Sequence, residues 1–159
     1  NMKKARLNRL LEKYIQLGIK KILVVRGDFP SDYSKSLSDF QYASDLVSYI
    51  QQFYGNQFHI VVAAYPEFHP EAKSIAHDLE NLKRKIDAGA DSAITQFFFS
   101  SDAFVHFKHR CDSVGIKIPI IPGIMPISDY DKIVKISKSC GTEIPLWMNK
   151  YFQEQPSEP

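Results

Sequence analysis

The sequence predicts an α/β fold, a partial (β/α)8 TIM-type barrel of about four consecutive strand-helix units with parallel strands. Three observations point there. Stripes of apolar residues at helical spacing alternate with short apolar runs that show no alternation. The step from stripe to run falls at a glycine, and polar and aromatic residues gather where the runs end, not where they begin.

In chain order, Leu7, Leu10, Leu11 and Tyr14 form the first stripe, and Phe40, Ala43, Val47 and Ile50 the second. Ala72, Ile75, Leu79, Leu82 and Ile86 form the third, Phe104, Phe107, Cys111 and Val114 the fourth, and Tyr130, Ile133, Val134 and Ser137 the fifth. Between them lie the runs 22–25, 60–64, 93–98 and 118–121, which read as strands covered on both faces. Gly18, Gly55, Gly89, Gly115 and Gly141 each close a stripe, where a left-handed residue needs no side chain, and the first four lead into a strand. A whole barrel takes ~250 residues, so four units make half of one. A flavodoxin-like sheet would need a phosphate loop rich in glycine and hydroxyls after its first strand, and Arg26-Gly27-Asp28-Phe29-Pro30 does not supply it. The barrel domain is expected over 1–152, with 153–159 a disordered tail.

With 159 residues, 44% hydrophobic and 24% charged, the chain is able to bury one core. A net charge of +2 is too small for a dedicated nucleic-acid binder. No apolar run approaches the ~20 residues of a membrane span, and the opening Asn1-Met2-Lys3-Lys4 is not a signal-peptide core, so a soluble, cytoplasmic protein without a membrane partner is expected. Cys111 and Cys140 are too few for a disulfide framework and read as packing residues.

Function belongs to the loops after the strands. Asp28 is a carboxylate at a strand tip, where barrel enzymes place catalytic groups, although a turn or N-cap aspartate is the commoner case. Tyr65-Pro66-Glu67-Phe68-His69-Pro70-Glu71-Ala72 packs polar and aromatic groups between stiffening prolines. His69, Glu71, His77 and Asp78 match no zinc spacing, so no metal site is expected; scattered surface groups explain them better, as they do His106 and His109. Asp78, Asn81 and Lys85 border the third apolar stripe, and Arg84 with Lys85 suits a phosphate. Gln96, an amide inside a strand, requires a hydrogen-bond partner: either backbone, or a heteroaromatic ligand read by donor and acceptor together.

Val25-Arg26-Gly27-Asp28, Ala63 to Ala72, Asp78 to Ala90, Ile94-Thr95-Gln96-Phe97-Phe98-Phe99 and Ile121-Pro122-Gly123-Ile124-Met125-Pro126 closely resemble methylenetetrahydrofolate reductases, in that family's order and spacing. The resemblance runs on to Ile144-Pro145-Leu146-Trp147-Met148. It implies an FAD-containing barrel in which reducing equivalents pass from NAD(P)H through the flavin to methylenetetrahydrofolate, giving methyltetrahydrofolate for one-carbon metabolism and methionine biosynthesis. By resemblance Arg26, Gly27, Asp28, Tyr42, Ala43, Tyr65, His69, Pro70, Glu71, Ala72, Asp78, Asn81, Arg84 and Lys85 contact FAD, and Gln96 with Asp28 contacts substrate. Asp28 is then the catalytic carboxylate beside the flavin N1, disfavouring negative charge on the reduced ring and favouring the cationic form of the folate. Two unit charges ~4 Å apart interact by about 4 kcal/mol at an effective dielectric of 20, enough to alter a rate by orders of magnitude. A homo-oligomer is expected.

The resemblance also has departures. The family's general acid, a glutamate on its first strand, has no counterpart in this sequence, and neither has the arginine of its closing strand. Lys132 and Ile136 stand where some members carry glutamine and phenylalanine. A non-catalytic flavin- or pterin-binding chain that kept the cradle without the acid is the alternative, and a metal-dependent hydrolase using His69 and Glu71 stands far behind.

Overall fold

The computed structural model describes residues 3–27 and 39–154. Its elements, in order, are α1 (Lys4–Gln16), β1 (Lys21–Val24), α2 (Ala43–Tyr54), β2 (His59–Ala64), α3 (Ile75–Asp87), β3 (Ser92–Phe97), α4 (Ser101–Ser113), β4 (Ile120–Gly123), α5 (Tyr130–Cys140) and α6 (Leu146–Glu154). The strands form one parallel sheet in the order β1-β2-β3-β4, with Lys21 opposite His59 and Val24 opposite Val62. Strands adjacent in sequence are adjacent in space and a helix fills each connection, the β/α repeat that the alternation of stripe and run predicts.

The chain groups into two compact units: the first comprises the residues up to Ala63 with Asn81–Ile94 and Ile118–Ile120, the second Ala64–Glu80, Thr95–Lys117 and the residues from Ile121 on. In the first unit Leu7 and Leu11 of α1, Val47 and Ile50 of α2, Val24 of β1 and Ile60 and Val62 of β2 are buried. Polar bonds fasten the amino ends of its strands. Asp91 accepts from the Ile60 N–H through its carboxylate and returns its own N–H to the Ile60 carbonyl, while the His59 ring meets Ser92 Oγ at 2.8 Å. In the second unit Ala64, Phe97, Phe107, Cys111, Ile116, Ile133 and Met148 make the core. Burial pushes the Cys111 thiol up to about 11, in keeping with a packing role.

Several expectations shift. Phe40 and Ala72 lie outside the helices their stripes suggested: Phe40 precedes α2 and packs edge-to-face on Tyr49, and Ala72 belongs to the loop before α3. The last strand begins two residues later than the run 118–121 and includes Pro122, which lacks a backbone N–H and is tolerated on an edge strand. Coverage of both strand faces does not hold for β1 and β4, where Leu23 and Ile121 are exposed; among the described residues each of these strands has a neighbour on one side only. Helix α6, which begins beside Pro145, carries no stripe that periodicity singled out; it includes Gln153 and Glu154, placed by composition in a frayed tail.

Gly123 sits where β4 approaches β3 too closely for any side chain: a Cβ there would run into the Thr95 carbonyl oxygen, and its N–H donates to Thr95 Oγ1 at 2.8 Å. We expect Gly123→Ala to destabilise the protein by about 1–3 kcal/mol in urea unfolding, the usual range for overpacking. An unchanged midpoint would show that the two strands separate freely.

Candidate active site

The residues singled out by sequence fall in both units. Arg26, Gly27, Tyr42, Ala43, Asn81, Arg84 and Lys85 belong to the first; Tyr65, His69, Pro70, Glu71, Ala72, Asp78 and Gln96 belong to the second. Asp28 lies outside the described residues.

In the second unit the β2–α3 loop folds upon itself. The Asp78 carboxylate, in the first turn of α3, accepts from the His69 backbone N–H at 3.1 Å. His69 Nδ1 accepts from the Glu71 N–H at 3.0 Å, and the His69 carbonyl accepts from the Ala72 N–H at 2.8 Å. A ring nitrogen that accepts is unprotonated, so the neutral imidazole carries its proton on Nε2. The His69 ring stands edge-on to Tyr65, with centroids 4.6 Å apart. Ser74 Oγ accepts from the His77 N–H and starts α3. The loop thus gathers Tyr65, His69, Glu71, Ala72 and Asp78 into one group joined by hydrogen bonds and an edge-on ring contact. Among the described residues no three His, Cys, Asp or Glu side chains are placed to hold a metal ion.

Gln96 is half-buried on the face of β3 opposite Thr95 and Phe97, which are buried. Its Oε1 accepts from the N–H of Phe97 at 3.0 Å. The backbone answer to its hydrogen-bonding requirement therefore holds for the oxygen; the amide hydrogens are a separate matter.

In the first unit Lys85 Nζ donates to the Ala63 carbonyl and so ties the last turn of α3 to β2. Asn81 is half-buried and Arg84 exposed. The Arg26 Nε–H donates to the Gly27 carbonyl at 3.3 Å. Tyr42 is exposed, with its N–H on the Asp45 carboxylate at 2.9 Å, and Ala43 opens α2.

Three residues outside the sequence-based set bear on the loop. Arg110 of α4 donates to the Pro66 carbonyl at 2.8 Å, and among the described residues its buried Nε has no hydrogen-bond partner. The Glu67 carboxylate accepts from the Glu143 N–H at 3.2 Å to either oxygen. Burial raises the Glu67 carboxyl above its usual range, the Glu143 N–H opposes that, and the Glu143 charge adds to it. Thr142, buried, donates to the Phe97 carbonyl at 3.2 Å. Glu67, Arg110 and Glu143 edge a cleft of about 360 Å³ that also touches Phe68, Ile75 and His106. Partners 44 and 76 residues apart leave no periodic trace in a sequence; the one local signal was an acid set between two prolines.

Comparison with known proteins follows the same line. The family model for methylenetetrahydrofolate reductase matches residues 1–159. A 5,10-methylenetetrahydrofolate reductase of Escherichia coli strain K12 is 46% identical over 146 residues, 92% of this chain and 48% of that protein. The protein of that name from Pectobacterium carotovorum is 42% identical over 153 residues, 96% of this chain and 50% of that protein. Methylenetetrahydrofolate reductase (NADH) 1 of Zea mays is 40% identical over 157 residues, 91% of this chain and 26% of that protein. The chain spans about half the length of the bacterial relatives it matches.

Two outcomes follow from the loop. Phe68 has φ +149°, alone among the described non-glycine residues in being positive, and its ring is exposed. Glycine is normally ~0.5–1 kcal/mol worse than alanine in ordered backbone, and here the order should invert, with Phe68→Gly more stable than Phe68→Ala in urea titrations. For Glu67, a raised native value means that the folded state binds the extra proton, so its contribution to stability grows as pH falls from the raised value towards the ordinary 4.5. Glu67→Gln removes that slope, so the stability gained by the variant should be largest above this window and shrink within it. Parallel curves for the two proteins would contradict the burial.

Proposed function

Because this chain belongs to the methylenetetrahydrofolate reductase family, we propose that it forms part of an FAD-binding catalytic barrel that reduces 5,10-methylenetetrahydrofolate to 5-methyltetrahydrofolate with NAD(P)H. The observation that carries the reading is the β2–α3 loop, in which hydrogen bonds link Asp78, His69, Glu71 and Ala72 and the His69 imidazole stands edge-on to the Tyr65 ring. The donor set fits a flavin dinucleotide. Within the second unit the Tyr65 ring and the His69 imidazole suit an aromatic ligand; within the first, Arg84 and Asn81 are side chains of the kind that meet phosphate and hydroxyl oxygens. Bound flavin supplies two-electron transfer between nicotinamide and folate, chemistry that no side chain performs.

The residues of the chain bind and orient. Lys85, anchored on Ala63, and Asp78, anchored on His69, hold the two ends of α3 in place within their own units. Gln96 reads the pterin, and the nicotinamide in its turn, with its amide donors, its oxygen being engaged on Phe97. By the family resemblance, the role of Asp28 is to disfavour negative charge on the reduced ring and to favour positive charge on the folate methylene group. A cytoplasmic homo-oligomer completes the proposal; among the described residues no helix is long and apolar enough to cross a membrane.

The test is an anaerobic stopped-flow experiment on the purified protein, with its flavin content measured first. Bound yellow colour bleached by NADH or NADPH and restored by methylenetetrahydrofolate supports the proposal. Colour without turnover reduces the chain to a flavin-binding module, and absence of colour after incubation with FAD ends the reading. Asp28→Asn should slow reoxidation by folate by at least tenfold while FAD affinity changes far less. Gln96→Ala should lose folate affinity and keep FAD. Gln96→Glu sharpens the test, since it retains an acceptor for the Phe97 N–H and removes the donors; unaltered folate titration in both variants would take Gln96 out of the site.

A further inference from the structure

We infer that the turn Gly141-Thr142-Glu143 is a positioning clasp for the β2–α3 loop, with Glu67 as the positioning residue through which the clasp sets the conformation of His69–Ala72. The inference rests on the proposal that this loop binds flavin, and every contact it uses lies within the second unit.

Within the loop, Glu71 and Ala72 bond to His69, and His69 bonds to Asp78 in the first turn of α3. The preceding Phe68 has φ +149°, a region that a side chain rarely occupies unless its surroundings impose it. Three contacts impose it. Arg110 holds the Pro66 carbonyl, the Glu67 carboxylate reaches the Glu143 N–H, and the Pro70 ring lies against Gly141, where an added Cβ would stand 3.1 Å from Pro70 Cγ. Gly141 is itself in the left-handed region at φ +71°, closing α5 with its N–H on the Ser137 carbonyl. Its neighbour Thr142 is tied to the Phe97 carbonyl, one residue beyond Gln96. A single turn therefore touches the loop before and after its strained residue and also the strand end that carries the amide.

A fold stabiliser and a positioning residue make different demands here. Glu67 buries part of a carboxylate next to a second one and receives a single backbone N–H, which is poor use of a charge for stability alone. What the carboxylate does supply is reach. Spanning from the loop to a residue 76 positions away, it fixes the segment that precedes Phe68.

The experiment compares the wild type with Glu67→Gln, Glu67→Leu and Thr142→Val in three measurements: FAD titration by flavin fluorescence, thermal melting of the apoprotein, and amide hydrogen exchange of residues 68–72. We expect Glu67→Leu to weaken FAD binding at least tenfold and to speed exchange in 68–72 at least tenfold, with a melting temperature equal to or above that of the wild type. Glu67→Gln, which keeps an acceptor for the Glu143 N–H, should rescue both within threefold. Thr142→Val should loosen the same amides without touching the loop directly. Wild-type FAD affinity and wild-type exchange in Glu67→Leu would overturn the clasp, and so would loss of affinity in step with a lowered melting temperature and no rescue by glutamine. If Glu67→Leu does not fold, Thr142→Val and Glu67→Gln decide by the same exchange readout. If the wild type takes up no FAD, the flavin reading fails, and the clasp is judged separately by exchange in 68–72.

Discussion

The carboxyl end of β3 commits its polar groups to neighbouring chain, and the second unit is arranged around those commitments. Thr95 gives its hydroxyl to the Gly123 N–H, and its carbonyl oxygen stands so near Gly123 that only glycine fits. Phe97 gives its N–H to the Gln96 side chain and its carbonyl to the Thr142 hydroxyl. Alternation along the strand puts Thr95 and Phe97 on the buried face, where unpaired polar groups are costly, and leaves Gln96 on the other. One strand end thereby fixes the next strand, the turn after α5 and the amide offered to a ligand.

Much of this architecture was legible in the sequence because it rests on local rules. Gly18, Gly55, Gly89, Gly115 and Gly141 all have positive φ, as residues that close a helical stripe favour. Tyr65 to Ala72 reads as a stiff polar loop from its prolines, and the structure shows that stiffness as hydrogen bonds to and from His69. Gln96 announced its need for a partner, though not that the next residue's N–H would meet half of it. What stayed hidden is long-range. Glu67 on Glu143 and Arg110 on Pro66 are set by where α4 and α5 come to rest, and neither periodicity nor turn chemistry encodes those positions. The positive φ of Phe68 was equally hidden, because a bulky residue carries no signal for it.

Exposure of apolar side chains follows from the same repeat. A barrel removes sheet edges by closing, and in this sheet β1 and β4 are edges. In the first unit Leu23 and Val25 are exposed at and just after β1; in the second, Ile121 and Ile124 are exposed at and after β4, with Leu146 and Trp147 on α6. Strand runs that look buried on both faces are written for a closed barrel, and the family to which the chain belongs has that fold. Among the described residues the reading of full coverage fails at β1 and β4, where Leu23 and Ile121 are exposed.

Glu67 and Phe68 are consecutive, and each departs from what stability alone would select: one buries charge, the other holds a backbone angle suited to glycine. Either could be an accident of packing. Together, one residue before His69, they have the pattern expected where local cost is tolerated for geometry, because a binding loop must be held in one conformation before its ligand arrives if binding is not to include the cost of ordering it. The bracing lies in three neighbours: a glycine at a helix end, a buried threonine with a carbonyl partner, and an arginine that donates to a carbonyl. Strain confined to two residues and braced by three conventional contacts keeps its cost local, so the core of Phe97, Phe107 and Ile133 can pack without reference to it.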